Sequence, residues 1–300
     1  MPVAPMEDRP ANALHASYLA DRASQQSAQI EENVRLAGGM FRMRIACPAI
    51  ARQAVPGQFV MLRFDGRTDP LVGRPMAIYE TVDDRQGEPW AIDVVYQVIG
   101  KMTSLMATCP VGGGIDLWGP LGNGFLPRPV SHLVMVAGGI GLTPFLALAH
   151  EALGVRRYGS PARTAAPAER VTLCYGVRSR DLLIDLTAFQ QAGVDVRLAS
   201  DDGSVGHHGL VTDLLDVVLH EDSTVERIVC CGPERMMAGA ARLAQDASVP
   251  CDVSLETPMA CGIGICFSCV ARIRQSDGSW DYKRTCVEGP VFAAETIVWE

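Results

Sequence analysis

Leu133-Val-Met-Val-Ala-Gly-Gly-Ile-Gly-Leu-Thr-Pro144 is an apolar run that breaks into glycines and ends on Thr-Pro. Its first five residues lack polar alternation, which predicts a strand buried on both faces. Gly138, Gly139 and Gly141 predict a tight turn. Thr143 suits the N-cap and Pro144 the first turn of a helix running from Thr143 to Leu153. A membrane span is excluded here: Leu133 to Ala149 is 17 residues long, interrupted by those glycines and Pro144. A helix start after such a turn offers free N–H groups to a pyrophosphate. The spacing is not G-x-G-x-x-G, and a plain tight βα turn is the competing reading.

Toward the C-terminus the same grammar repeats. Val171–Tyr175, Val194–Leu198 and Arg227–Cys231 read as strands. Asp181–Gln191, Leu210–Leu219 and Glu234–Gln245 read as helices, and Arg156–Arg170 as a surface loop. Strands alternating with helices imply a Rossmann-like parallel sheet with right-handed crossovers over 130–250. Cys231-Gly232-Pro233 ends a strand at the carboxyl edge of that sheet, where such folds bind ligands. Cys231 is a candidate to pack beside a nicotinamide, or else a core cysteine before a turn.

Toward the N-terminus the pattern changes. Phe41–Ile45, Gln58–Phe64 and Trp90–Ile99 read as short strands between Gly and Pro breaks, which predicts an antiparallel β-barrel over 31–129. Residues 1–30, rich in Ala, Ser, Gln and Pro, are expected to form a disordered tail. Within the barrel half, Arg74-Pro75-Met76-Ala77 puts an arginine beside a proline at a strand start, able to grip a pyrophosphate. Val95-Tyr96-Gln97 offers an aromatic for stacking, and Gly100-Lys-Met102-Thr103 a turn into a helix. An arginine facing solvent on an edge strand is the plain alternative for Arg74.

Ten cysteines are present, and seven lie at or after Cys230. Cys261-Gly-Ile-Gly-Ile-Cys266-Phe-Ser-Cys269 has C-x4-C-x2-C spacing, with Cys286 after sixteen intervening residues. That opening is the plant-type [2Fe–2S] spacing. Gly262 and Gly264 let backbone wrap a small cluster and aim N–H groups at its sulfurs. A zinc site would be expected to use paired C-x2-4-C knuckles instead. Residues 251–300 therefore read as a small cluster module. The net charge of −8 argues against a nucleic-acid binder. No basic, then apolar, leader is visible, so a cytoplasmic protein with reduced or metal-bound thiols is expected.

The pieces stand in one order: Arg74-Pro75, the turn at Gly100–Thr103, Gly119-Pro-Leu-Gly-Asn-Gly-Phe125, Gly138-Gly-Ile-Gly-Leu-Thr-Pro144, Cys231-Gly-Pro233, then the cluster cysteines. Asp201-Asp-Gly-Ser204, Gly209-Leu-Val-Thr-Asp213 and Cys286-Val-Glu-Gly-Pro-Val-Phe292 add to it. Over about residues 33–300 the chain resembles the ferredoxin reductase superfamily, and within it the electron-transfer subunits of type B dihydroorotate dehydrogenases. The resemblance implies an NAD(H)-linked oxidoreductase subunit with FAD, a [2Fe–2S] cluster and NAD(H). It implies cluster ligands at Cys261, Cys266, Cys269 and Cys286. Flavin contacts would fall at Arg74–Ala77, Val95–Gln97 and Met102-Thr103. The implied partner is an FMN-containing dihydroorotate dehydrogenase catalytic subunit in a two-plus-two heterotetramer of pyrimidine biosynthesis, without nucleic acid or membrane. Subunits of a sulfide dehydrogenase, a ferredoxin:NADP oxidoreductase or a cytosolic hydrogenase share this layout and form the alternative. Ala77, Gln97 and Met102 depart from the family's usual Ser, Arg and Gly. Tyr175-Gly-Val-Arg-Ser-Arg180 places arginines where a 2′-phosphate would sit, though NAD is the favoured nucleotide.

Overall fold

The computed structural model of the chain describes residues 22–64 and 66–299. Six strands close the N-terminal barrel: β1 (Ser24–Ala37), β2 (Met40–Ala46), β3 (Phe59–Arg63), β4 (Arg74–Asp83), β5 (Pro89–Gln97) and β6 (Gly114–Leu121). Their order is β1-β2-β5-β4-β3-β6, each pair antiparallel. Helix α1 (Pro48–Ala51) and helix α2 (Lys101–Ala107) plug the barrel with Ile50, Met102 and Met106. Closure gives each of the six strands a neighbour on both sides, so the barrel has no edge strand. The expected tail is shorter than 1–30. β1 begins at Ser24, where a polar stretch pairs with β6, from Ser24↔Gly119 to Gln29↔Gly114. Residues 1–21 of that expectation lie outside the described residues.

The second body is a seven-stranded sheet. In chain order it comprises β7 (His132–Gly138), α3 (Phe145–Ala152), β8 (Arg170–Val177), α4 (Thr187–Gln191), β9 (Asp195–Ser200), β10 (His207–His208), α5 (Val211–Glu221), β11 (Val225–Cys231), α6 (Glu234–Asp246) and β12 (Cys251–Ser254). After a hairpin, β13 (Val270–Arg274) with β14 (Trp280–Arg284), the chain returns as β15 (Val291–Ala293). Sheet order is β10-β9-β8-β7-β11-β12-β15, parallel except for β15. Leu133, Met135 and Ala137 face a core shared with α3 and the barrel residues Met40, Tyr79, Val95 and Phe125. Val134 and Val136 face α5 and α6. Burial on both faces is what the unbroken apolar run required.

Three expectations change. Asp181–Gln191 is not one helix: a 3-10 turn at Arg180–Leu182 precedes α4, and the buried Ile184 and Leu186 lie between them. Thr143 is not the N-cap; Gly139–Leu142 forms a 3-10 turn and α3 starts at Phe145 with Pro144 before it. The final fifty residues are not wholly separate, because β12 and β15 extend the main sheet. Only the segment between them leaves it.

The bodies are joined by polar contacts. Glu80 on β4 accepts from the Tyr158 hydroxyl at 2.7 Å and meets His150 Nδ1 on α3 at 2.6 Å. In the Gly119–Phe125 turn, the Asn123 side chain bonds both backbone groups of Val291, at 2.8 and 3.1 Å. Gly122 permits this approach: a methyl there would lie 2.5 Å from Pro290.

Candidate cluster, flavin and nucleotide sites

The β13–β14 hairpin explains how distant cysteines meet. Its register pairs Val270 with Arg284, so Cys269 and Cys286 flank the open end of the ladder. Thr285 closes that end, its N–H and hydroxyl both donating to the Cys269 carbonyl at 2.8 and 3.0 Å. The Cys269 and Cys286 thiols are neighbours, each shifting the other's titration. Cys261 and Cys266 form the second pair, on the loop between β12 and β13. Ile263 N–H donates to Cys261 Sγ at 3.4 Å, and Ser268 Oγ lies 3.2 Å from Cys266 Sγ. The Ser268 hydroxyl, with Cys261 behind it, pulls the Cys266 thiol down to about 6. The Cys286 thiol does the same to Cys269, also to about 6, while sharing its proton raises Cys286. Thiolate is the form that binds metal.

This donor set fits a two-iron cluster better than one zinc ion. Zinc needs four ligands around one point. Among the described residues no three Cys, His, Asp or Glu side chains gather on one centre. Two thiol pairs suit two irons. The backbone fits as well: Gly262 and Gly264 have φ of +72° and +83°, and at Gly262 a methyl would lie 2.6 Å from Met61 on the barrel wall. Cys269 and Cys286 are buried in a small core with Phe59, Met61 and Leu121 from the barrel. Cys266 is exposed, among Ile263, Ile265 and Phe267, which are 40, 74 and 62% exposed.

At the carboxyl edge of the sheet, β7 and β11 are neighbours, and the strand order reverses between them. That is where a cleft opens in doubly wound folds. The loops after these strands touch. A methyl at Gly138 would lie 2.5 Å from Met236 Sδ, and one at Gly141 2.2 Å from the Cys231 carbonyl. Gly232, with φ +155°, is equally close to Met236. These three glycines are required by loop-on-loop packing alone. Gly139, φ +53°, differs, since a methyl there would meet nothing within 4 Å. Thr143 is buried, and Pro233 precedes α6. Burial, and then the charge of Glu256, pushes the half-buried Cys231 thiol up to about 12, against a smaller pull from Ser254. Glu256 was not singled out from sequence. Its place beside Cys231 follows from the parallel β11–β12 pairing, which no local pattern encodes.

On the barrel, Arg74 is exposed and donates only to the Val72 and Gly73 carbonyls, at 2.8 and 3.1 Å. Among the described residues it pairs with no carboxylate, which leaves its charge for a phosphate. Pro75, Met76 and Ala77 follow, half-buried, along β4. Tyr96 corrects the expectation of a stacking platform. Its ring is inside the barrel, stacked on Phe41 at 5.9 Å, and its hydroxyl donates to Asn33. Val95 faces the inter-body core, and Gln97 ends β5 half-buried. Met102 is barrel core, and the Thr103 hydroxyl is engaged with the Ile99 and Gly100 N–H groups. At these five positions only backbone, or the tip of Gln97, remains for a cofactor.

Residues 256–298 match the family model of the iron–sulfur cluster binding domain of dihydroorotate dehydrogenase B. The dihydroorotate dehydrogenase B (NAD(+)) electron transfer subunit of Desulforamulus reducens is 36% identical over 88% of this chain and 95% of its own length. The chain belongs to that family of electron-transfer subunits. The Caldanaerobacter subterraneus subsp. tengcongensis member is 29% identical over 92% of this chain and 99% of its own. The solved NADH-dependent reduced ferredoxin-NADP oxidoreductase superposes with TM-score 0.74 at 27% identity, over 91% of this chain and 90% of that one. The ferredoxin reductase of carbazole 1,9a-dioxygenase shares the fold, with TM-score 0.62 at 20% identity over 76% of this chain and 67% of that one. The subunit is thus a ferredoxin reductase-like oxidoreductase component, with a barrel, a nucleotide-binding sheet and an iron–sulfur domain. No helix among the described residues is long and apolar enough to cross a membrane.

Proposed function

We propose that the subunit carries electrons between NAD and an FMN-containing dihydroorotate dehydrogenase catalytic subunit, in pyrimidine biosynthesis in the cytoplasm. The observation that carries this reading is the two thiol pairs seated against the wall of a reductase-type barrel. Cys261 with Cys266 would hold one iron, and Cys269 with Cys286 the other. Arg74–Ala77 would hold FAD, aided by backbone at Val95–Gln97 and Met102-Thr103. Gly138, Gly139, Gly141, Thr143, Cys231, Gly232 and Pro233 would line the nicotinamide nucleotide. When bound, FAD exchanges a two-electron hydride with the nicotinamide and single electrons with the cluster.

The chain's own residues bind and orient. Arg74 supplies charge to a phosphate, Cys231 stays a neutral thiol beside a flat ring, and no general base is needed. The exposed apolar rim at Ile263, Ile265 and Phe267 supports a partner seated over Cys266. The direct test is anaerobic purification with the partner co-expressed. The expected product is a two-plus-two complex with about one FAD and two irons per copy of this chain, bleached by NADH faster than by NADPH. Zinc without acid-labile sulfide would sink the cluster, and copurification with a different oxidoreductase would sink the partner.

A further inference from the structure

We propose that Trp118 is a positioning residue that fixes the first cluster cysteine relative to the flavin-binding edge of the barrel. The inference rests on the cofactor assignment above. Trp118 is on β6, opposite Met61 of β3. Its indole Nε1–H donates to the Cys261 carbonyl at 2.9 Å, across 143 residues of chain. The far edge of the same ring lies against Gly73, the residue just before Arg74. A methyl on Gly73 would lie 2.7 Å from Trp118 Cη2 and 3.3 Å from Cζ2. Gly73 is not one of the glycines with positive φ, so backbone conformation does not demand it. The close indole does.

One half-buried side chain therefore touches both loops assigned to cofactors. Gly73 is itself held to Arg74, whose Nη1 donates to the Gly73 carbonyl. On the other side, Gly262 presses on Met61, next to Trp118 in the barrel wall. Electron transfer falls steeply with separation, so the two loops must keep a fixed spacing. A packed ring with one directional donor achieves that; functional groups need support to within about 0.5 Å. Indole is suited to the task because it is a large rigid plane carrying a single N–H donor and no acceptor.

The test uses the full chain, loaded anaerobically with FAD, iron and sulfide, in two variants. Trp118→Phe removes the donor and withdraws the outer ring edge from Gly73. Gly73→Ala keeps the donor and pushes the indole from the flavin side. After mixing with NADH, the ratio of cluster reduction rate to flavin reduction rate should fall about three- to tenfold in Trp118→Phe, the equivalent of one hydrogen bond. The EPR spectrum and midpoint potential of the reduced cluster should shift in both variants. A shift in Gly73→Ala is the sharper result, since that residue touches no cysteine. If Trp118→Phe loses iron, Gly73→Ala alone decides. Fully loaded Gly73→Ala with a wild-type cluster spectrum, potential and rate ratio would overturn the positioning role. A wild-type chain lacking FAD or cluster would overturn the cofactor assignment, and the proposal with it.

Discussion

Cys174, Cys230 and Cys251 on the sheet, and Cys261, Cys266, Cys269 and Cys286 in the hairpin module, are the same side chain under opposite conditions. On the sheet, burial pushes Cys174 and Cys251 up to about 12, and Cys230 well above its ordinary value. Among the described residues no hydrogen-bond donor reaches their sulfurs. In the module, hydroxyl and thiol donors pull Cys266 and Cys269 down to about 6. Being a cysteine decides little; a thiol set beside a second thiol or a hydroxyl is prepared to bind metal, and one among methyl groups is packing. Cys231 is intermediate, half-buried at a loop and protonated.

The largest expected effect tests that division directly. Cys269→Ser should abolish the cluster, taking iron from about two per chain to none while FAD remains bound. Iron analysis and the visible spectrum read it. Retention of a full cluster would mean that the pairing of Cys269 with Cys286 is not a ligand arrangement. Cys230→Ser should do the reverse. Iron stays, and urea unfolding shows a loss of about 1–3 kcal/mol, because a hydroxyl replaces a thiol in an apolar site. Loss of iron in Cys230→Ser without loss of stability would break the comparison.

The two regions also differ in how far sequence revealed them. The cysteine loop is legible because its first three cysteines lie within nine residues, Cys261 to Cys269, and the glycines between them are conformationally required. The sheet was legible from Leu133–Pro144 and the alternation that follows. What escaped detection depends on distant pairing. The polar stretch from Ser24 looked like tail, yet it closes the barrel against β6. Tyr96 looked like a flavin platform, yet strand alternation turns its ring inward and Val95 outward. Glu256 and Trp118 reach their neighbours only through β11–β12 pairing and through a contact 143 residues long. The glycines at 138 and 141 looked like a phosphate cradle and are first of all the contact surface of two loops.

A smaller effect separates strain from packing inside the module. Gly264 and Gly278 have nearly the same φ, +83° and +85°. A methyl costs about 1–2 kcal/mol at either on backbone grounds. At Gly264 it would also lie 3.1 Å from Val287, one residue beyond Cys286; at Gly278 it would meet nothing within 4 Å. Both alanine variants should unfold at lower urea, but only Gly264→Ala should lose iron to a chelator faster. Equal rates of iron loss would show that the cluster loop tolerates displacement.

The smallest expected effect concerns charge rather than shape. Arg284 on β14 donates to the Gly264 carbonyl at 2.9 Å, carries its guanidinium 5.0 Å from the Phe267 ring centre, and pairs with Glu288 at 3.4 Å. It therefore clamps the loop between Cys261 and Cys269 and places a cation on that loop. Reduction adds one negative charge to a [2Fe–2S] centre, so a nearby cation favours the reduced form. Arg284→Gln should lower the midpoint potential, by about 1 kcal/mol or roughly 40 mV for one electron, since Glu288 and solvent screen the charge. Arg284→Lys keeps the charge and loses the planar fork that reaches both Gly264 and Phe267. If charge dominates, the lysine variant retains the potential and only the glutamine variant shifts. If the clamp dominates, both shift and both lose iron sooner, because the loop no longer has its anchor. The difference between the two cysteine populations favours the first outcome: the Cys269–Cys286 pair is held by Thr285 and the backbone register of the hairpin, neither of which uses the Arg284 guanidinium.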